Sequence, residues 1–179
     1  MKDILEIIAS RLFEHEESGA FAILDGASVP GLLEKLAVDK PPYECLYRGE
    51  LKRDLAEVAP YLVHLETGSS FAEWVIGKGW GNHWGIFAFT SSDLRALRQN
   101  FRRFLTVHDG ETGKPLLFRY YDPRVLRVYL PTCNAEELET IFGPVSEFLL
   151  EGEQPQQLLR FRLAAGSLQT TEIDLMEGS

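Results

Sequence analysis

The side chains in this sequence whose types suit chemistry are Asp25, His108, Asp109 and Asp122, with Arg119 and Arg124 on either side of the last. Carboxylates beside guanidinium groups can hold a proton or bind an anion in fixed geometry. The spacing supplies few of the partners such roles need. His15, His64, His83 and His108 contain no pair three or four residues apart, so no helical metal pair forms. No serine lies in a Gly-x-Ser-x-Gly elbow, and a Walker loop and a dinucleotide fingerprint are absent. His108 beside Asp109-Gly110 reads as a turn-flanking residue, because a general base needs an orienting partner that the sequence does not identify. Asp25 follows the apolar run Phe21-Ala22-Ile23-Leu24, and the end of a strand is a favoured place for ligand-binding groups. Without glycines patterned for phosphate, the preferred reading of Asp25 is a cap on its own turn or on the next helix. An α/β enzyme working through carboxylates and arginines stays open from the residues alone, as does a regulatory module that binds a small anion.

The stretch from Leu105 to Pro131 organises these groups. Leu116, Phe118 and Tyr120 alternate with Leu117, Arg119 and Tyr121, the period of a strand with two useful faces, and Leu116–Tyr121 is expected to be an interior strand. Asp122 suits an N-cap and Pro123 the first helical position, where its missing N–H costs nothing, so a helix is predicted from there to just before Pro131. A strand thus feeds a helix through one carboxylate flanked by two arginines.

The elements that must position this junction alternate along the chain. A first helix is predicted over Asp3 to Glu16, with Asp3 as cap and Leu5, Ile8 and Leu12 buried. Strands follow at Phe21–Leu24, Glu44–Tyr47, Tyr61–Leu65 and Ile86–Phe89. Between them lie a helix near Pro30, a short one marked by Leu51, Leu55 and Val58, and one opened by a capping box of Ser70 and Glu73. Ser92 to Leu105 is helical, Thr106–His108 pairs with Pro115–Tyr121 as a hairpin, and Asn134 with Glu137 caps a further helix ending at Gly143-Pro144. Val145–Leu150 and Leu158–Leu163 form a last hairpin. Such alternation, with apolar strands, predicts an α/β layered domain: a mixed, largely parallel central sheet of about six to eight strands, flanked by helices and a C-terminal hairpin. One domain is expected over residues 1–166, with 167–179 a tail that frays near Glu177.

Charge narrows the partners. The 179 residues carry a net charge of −9, which disfavours a general nucleic-acid binder. Residues 94–131 nevertheless hold 8 Lys and Arg against 3 Asp and Glu. Within them Arg95, Arg98 and Arg102 recur at three- and four-residue steps and form one stripe. With Arg124 and Arg127 from the next helix, and Trp80 as an aromatic contact, this stripe is the candidate partner-binding surface. The bland account, in which these arginines neutralise the protein's own carboxylates, carries the larger share. No apolar run approaches the roughly 18 residues a bilayer span needs, and Asp3, Glu6 and Glu14 occupy the place of a signal peptide's basic and apolar regions. The expected location is the cytoplasm, with Cys45 and Cys133 kept as thiols.

The phrase Phe118-Arg119-Tyr120-Tyr121-Asp122-Pro123-Arg124-Val125-Leu126 also carries a resemblance, together with Leu94-Arg95 before it and Ile141-Phe142-Gly143-Pro144-Val145 after it. Ala22-Ile23-Leu24-Asp25-Gly26-Ala27, Leu46-Tyr47, Pro60-Tyr61-Leu62-Val63 and Trp84-Gly85-Ile86 agree in order and spacing. Over roughly residues 20 to 150 the chain resembles the adaptor (chaperone) family of bacterial type VI secretion, first catalogued as a domain of unknown function. The resemblance implies a non-enzymatic protein that attaches a secreted toxin effector to the secretion spike, with no cofactor, no metal and no membrane insertion. It implies that Asp25, Arg119, Asp122 and Pro123 are motif residues with structural work. Family members often carry a further C-terminal lobe associated with effector recognition, and this sequence stops without room for one, which leaves the effector-binding surface to be found.

Overall fold

The computed structural model describes residues 4–14 and 17–176, so Asp3, His15, Glu16 and Glu177 lie outside the described residues. The chain begins with α1 (Ile4–Leu12), β1 (Gly19–Asp25), α2 (Leu32–Asp39), β2 (Tyr43–Cys45), α3 (Arg53–Val58) and β3 (Pro60–Leu65). It continues with α4 (Ser70–Trp74), which passes into a π turn at Val75–Gly79, then β4 (Gly85–Thr90), α5 (Leu94–Arg102), β5 (Thr106–His108) and β6 (Pro115–Leu117). Helix α6 (Pro123–Tyr129) tightens into a 3-10 turn at Leu130–Thr132 and precedes α7 (Ala135–Phe142), β7 (Glu147–Glu151), β8 (Gln157–Ala164) and β9 (Ser167–Asp174).

Strand β1 is an interior strand, third in the sheet. Six of its seven residues are buried, as a continuous apolar run requires when neither face meets water. It is hydrogen-bonded to β3 on one side and β4 on the other, and the seven-stranded order is β2-β3-β1-β4-β7-β8-β9. Every neighbouring pair in this sheet is antiparallel. The expectation of a mixed, largely parallel sheet is therefore corrected. Apolar strands separated by helices report that both faces of the sheet are covered; they do not report strand direction. Here the β1–β2 connection crosses over β3 and the β3–β4 connection over β1, so β3 and β4 share a direction but lie on opposite sides of β1.

The alternation of side chains divides the sheet into two cores. Ala20, Ala22, Leu24, Val63, Leu65, Phe87 and Phe89 pack with Ile8 and Leu12 of α1, Leu32 and Leu36 of α2, and Phe71 of α4. Phe21, Ile23, Leu62, Ile86, Ala88 and Phe148 meet Leu97 and Phe101 of α5, Leu126 of α6 and Leu138 and Phe142 of α7. Burying each such large side chain contributes about 1.5–3 kcal/mol before entropy is counted. Cys45 and Cys133 are half-buried and unbonded.

Three local expectations change. Leu116–Tyr121 is not an interior strand: only Pro115–Leu117 is extended, it pairs with β5 in a separate two-stranded ribbon, and Leu116 and Leu117 are about half exposed. The chain then turns inward, and Tyr120 and Tyr121 bury themselves against α5 and the sheet, the Tyr120 hydroxyl donating to the Phe101 carbonyl at 3.0 Å. Helix α4 is capped by Ser69, which accepts from the Ala72 N–H, one residue earlier than the predicted box at Ser70. Residues 167–174, expected to begin a tail, form β9 beside β8. By contrast the Asn134–Glu137 capping box is present with both hydrogen bonds.

Candidate functional site

The end of β1, the start of β4 and the end of β7 lie side by side, because Leu24 pairs with Gly85 and Phe87 with Leu149. Gly85 permits this approach: a Cβ there would overlap the Ile23 carbonyl oxygen. At this end of the sheet Asp25 is buried, and its carboxylate accepts from the Ala27 N–H at 3.2 Å and the Ser28 hydroxyl at 2.8 Å. It therefore caps its own turn, while α2 starts later, at Leu32. Arg119 reaches the same carboxylate and donates to Oδ2.

Asp122 answers it from the other side. It caps α6 by accepting from the Arg124 N–H at 2.9 Å, with Pro123 at the helix start. The Arg124 guanidinium grips the same carboxylate at 3.0 and 2.8 Å, and Arg119 lies 3.7 Å away. Burial opposes ionisation of Asp122, but the Arg124 side chain and N–H, with the Arg119 charge, outweigh it and hold the carboxyl below its usual value. Asp25, Arg119, Asp122 and Arg124 thus form a row of alternating charge that pins the entry of α6 to the end of β1. The hydroxyls of Tyr47 and Tyr121 meet beside it, and burial with the Asp25 charge pushes both phenols up.

A third buried acid completes this end of the sheet. Glu151 accepts from the His83 backbone N–H at 2.8 Å, and His83 Nδ1 stands 3.4 Å from its other oxygen. His83 takes a left-handed φ of 57° to do so. Burial raises the Glu151 carboxyl above its usual value despite His83 and the N–H donors. The sequence reading missed Glu151. Its signal was a carboxylate ending the apolar strand Phe148-Leu149-Leu150, next to the arginine-bearing β8, where Arg160 and Arg162 hold Glu147.

The remaining candidates separate. Arg98 pairs with Glu44, and Arg102 donates to the carbonyls of Cys45, Leu46 and Tyr47 at 2.7–3.0 Å, so together they tie α5 to β2 and the residues just after it. Arg127 donates to the Gly152 carbonyl at 2.9 Å. Arg95 is exposed. Trp80 donates its indole N–H to the Pro155 carbonyl at 2.6 Å and packs at the core margin, and Trp84 lies against Trp74 with ring centroids 4.6 Å apart. His108 and Asp109 sit on the separate ribbon, where Asp109 accepts from Glu111 and Thr112 of its own turn. The structure therefore gathers Asp25, Arg119, Asp122 and Arg124, and leaves His108 and Asp109 elsewhere. Among the described residues no group of three His, Cys, Asp or Glu side chains is placed to hold a metal ion, and no helix is long and apolar enough to cross a membrane.

The model of the family described as "Domain of unknown function (DUF4123)" matches residues 20–140, a span that contains the whole charge row. Comparison with curated proteins and with solved structures returns no match.

Proposed function

The chain belongs to the DUF4123 family, and from that premise we propose that it is a non-enzymatic adaptor that binds a secreted toxin effector and assists its loading onto the type VI secretion spike. The observation that carries this reading is the internal pairing of the motif residues. Asp25 and Asp122 are the carboxylates best placed for chemistry, at a strand end and a helix start. Each is engaged by guanidinium groups and turn donors. A general acid or base needs a proton or lone pair left for substrate. These groups spend theirs on holding β1, the Arg119 loop and α6 together, which is the work of a scaffold that presents a surface. The resemblance in order and spacing supplies the biological setting, action in the cytoplasm before secretion.

The test is affinity isolation of the tagged protein from a producing bacterium with its secretion system active, followed by reconstitution from purified components. A ternary assembly with one toxin and one spike subunit is expected. A protein that stays free of both partners when mixed with them at micromolar concentration overturns the reading.

A further inference from the structure

One surface of the molecule combines exposed apolar area with arginines that make no ion pair of their own among the described residues. A groove of about 590 Å³ opens between the segment following β2, the C-terminal end of α5 and the ribbon, lined by Leu51, Leu55, Leu117, Arg48, Arg102 and Arg103 among others, none of them acidic. Its volume falls within the roughly 300–1,000 Å³ of ligand-sized pockets. Of the exposed large apolar residues, Leu55 (44%) and Leu117 (53%) line the groove, whereas Val107 and Leu116, partners across the ribbon, lie on its other face. Two exposed leucines beside three arginines in one groove differ from scattered single exposures.

The charge in the groove is the second observation. Arg48 and Arg103 are exposed and make no ion pair with another described residue. Arg102 keeps its charge while its N–H groups serve three backbone carbonyls. Burial lowers the proton affinity of Arg102, and the neighbouring charges of Arg98 and Arg48 act in the same direction. Glu44, the carboxylate felt at Arg102, is already paired with Arg98. In a chain of net charge −9, this groove holds positive charge without its own counterion.

We propose that the groove receives an acidic peptide segment carrying at least two large apolar side chains; on the adaptor reading, on which this assignment rests, the segment belongs to the effector. Guanidinium groups bind carboxylates in a two-pronged geometry, and the leucines between them offer burial that only a partner with apolar side chains can use. A phosphate polymer would gain from the arginines alone and would leave the leucines of the groove without a partner.

The experiment uses a fluorescent synthetic peptide with leucines at helical spacing among glutamates, titrated against the full chain by anisotropy. Companion peptides carry Gln for every Glu or Ser for every Leu. Arg48→Glu with Arg103→Glu, neither of which removes a described hydrogen bond, is expected to keep the melting temperature and weaken binding by about tenfold or more. Both companion peptides are expected to bind several-fold more weakly, and Lys78→Glu, a charge reversal on the opposite face of the sheet, to change binding by less than about twofold. Equal binding of the Gln peptide, or equal loss with Lys78→Glu, overturns the assignment. Tighter binding of an oligonucleotide or of phosphatidylglycerol vesicles, abolished by the same double variant, overturns it in favour of that ligand. If the double variant assembles toxin and spike as well as the unaltered chain does, the groove is wrong and the adaptor reading stands. If the unaltered chain binds the peptide and neither partner, the adaptor reading falls and the groove stands.

Discussion

Replacing Arg119 by Met leaves Asp25 buried without its cation, and the consequence can be worked from the geometry. Removing one partner of a fully buried ion pair costs about 3–5 kcal/mol. Two features reduce that here: the Arg119 side chain is 41% exposed, so water reaches the guanidinium side, and Asp25 keeps the Ala27 N–H and the Ser28 hydroxyl. The expected loss is about 2 kcal/mol, which for a chain of this size lowers the melting temperature by about 4–8 °C. Asp25→Asn alone is expected to cost about 1–2 kcal/mol, because it weakens the bond to Arg119 and replaces one acceptor of the turn by a donor. In the double variant the two costs overlap, giving a coupling energy of about 1–2 kcal/mol. Urea titrations of all four proteins, analysed at constant m, measure it. A coupling below about 0.5 kcal/mol would show that the charge row does not pin α6 to β1, and would return Arg119 to the pool of groups available for a ligand.

Three further outcomes follow from the same structure. Arg102→Met is expected to lose about 2–3 kcal/mol by stranding three carbonyls, whereas Arg95→Ala stays within about 0.5 kcal/mol, so equal effects in thermal melts would refute the division of the stripe. Glu151 has a raised carboxyl, so the folded state holds its proton more tightly than the unfolded chain does. Its stabilising contribution is full below the ordinary carboxylate value of about 4.3 and is lost as pH rises through the folded value. Glu151→Gln, which keeps an acceptor for the His83 N–H, is expected to remove that slope, and parallel melting-temperature curves for the two proteins above pH 4 would contradict this. Gly85→Ala forces a methyl group into the β1 backbone and is expected to cost about 3 kcal/mol or more, measurable as failure to express in folded form.

What the sequence made legible was whatever one or two neighbouring residues decide. Asp122-Pro123 is an N-cap followed by a first-turn proline because those side chains act on the next few N–H groups, and Asn134 with Glu137 closes its box for the same reason. Phe21–Leu24 declared two-sided burial through composition alone. Strand direction is decided by which end of the sheet a connection returns to, and no local pattern records it. The alternation from Leu116 to Tyr121 misled because an exposed ribbon and an inward turn can follow one another without disturbing a period of two. Arginine spacing on α5 marks one helix face, but the carbonyls that Arg102 serves lie about 55 residues earlier in the chain, beyond the reach of any window. The Glu151–His83 contact spans 68 residues and was invisible for the same reason.

The place of β1 in the sheet has a consequence for synthesis. This interior strand is made before every other strand of the sheet, yet its two partners begin about 35 and 60 residues after it ends, at Pro60 and Gly85. At about 5–20 residues per second, Phe21-Ala22-Ile23-Leu24 waits roughly 3–12 seconds before β4 can close its second edge. During that interval α1 and α2 can cover one face of this apolar strand, while the face awaiting α5, α6 and α7 is bare and at least one edge is unpaired, so it is the segment of this chain that nascent-chain chaperones would have to shield.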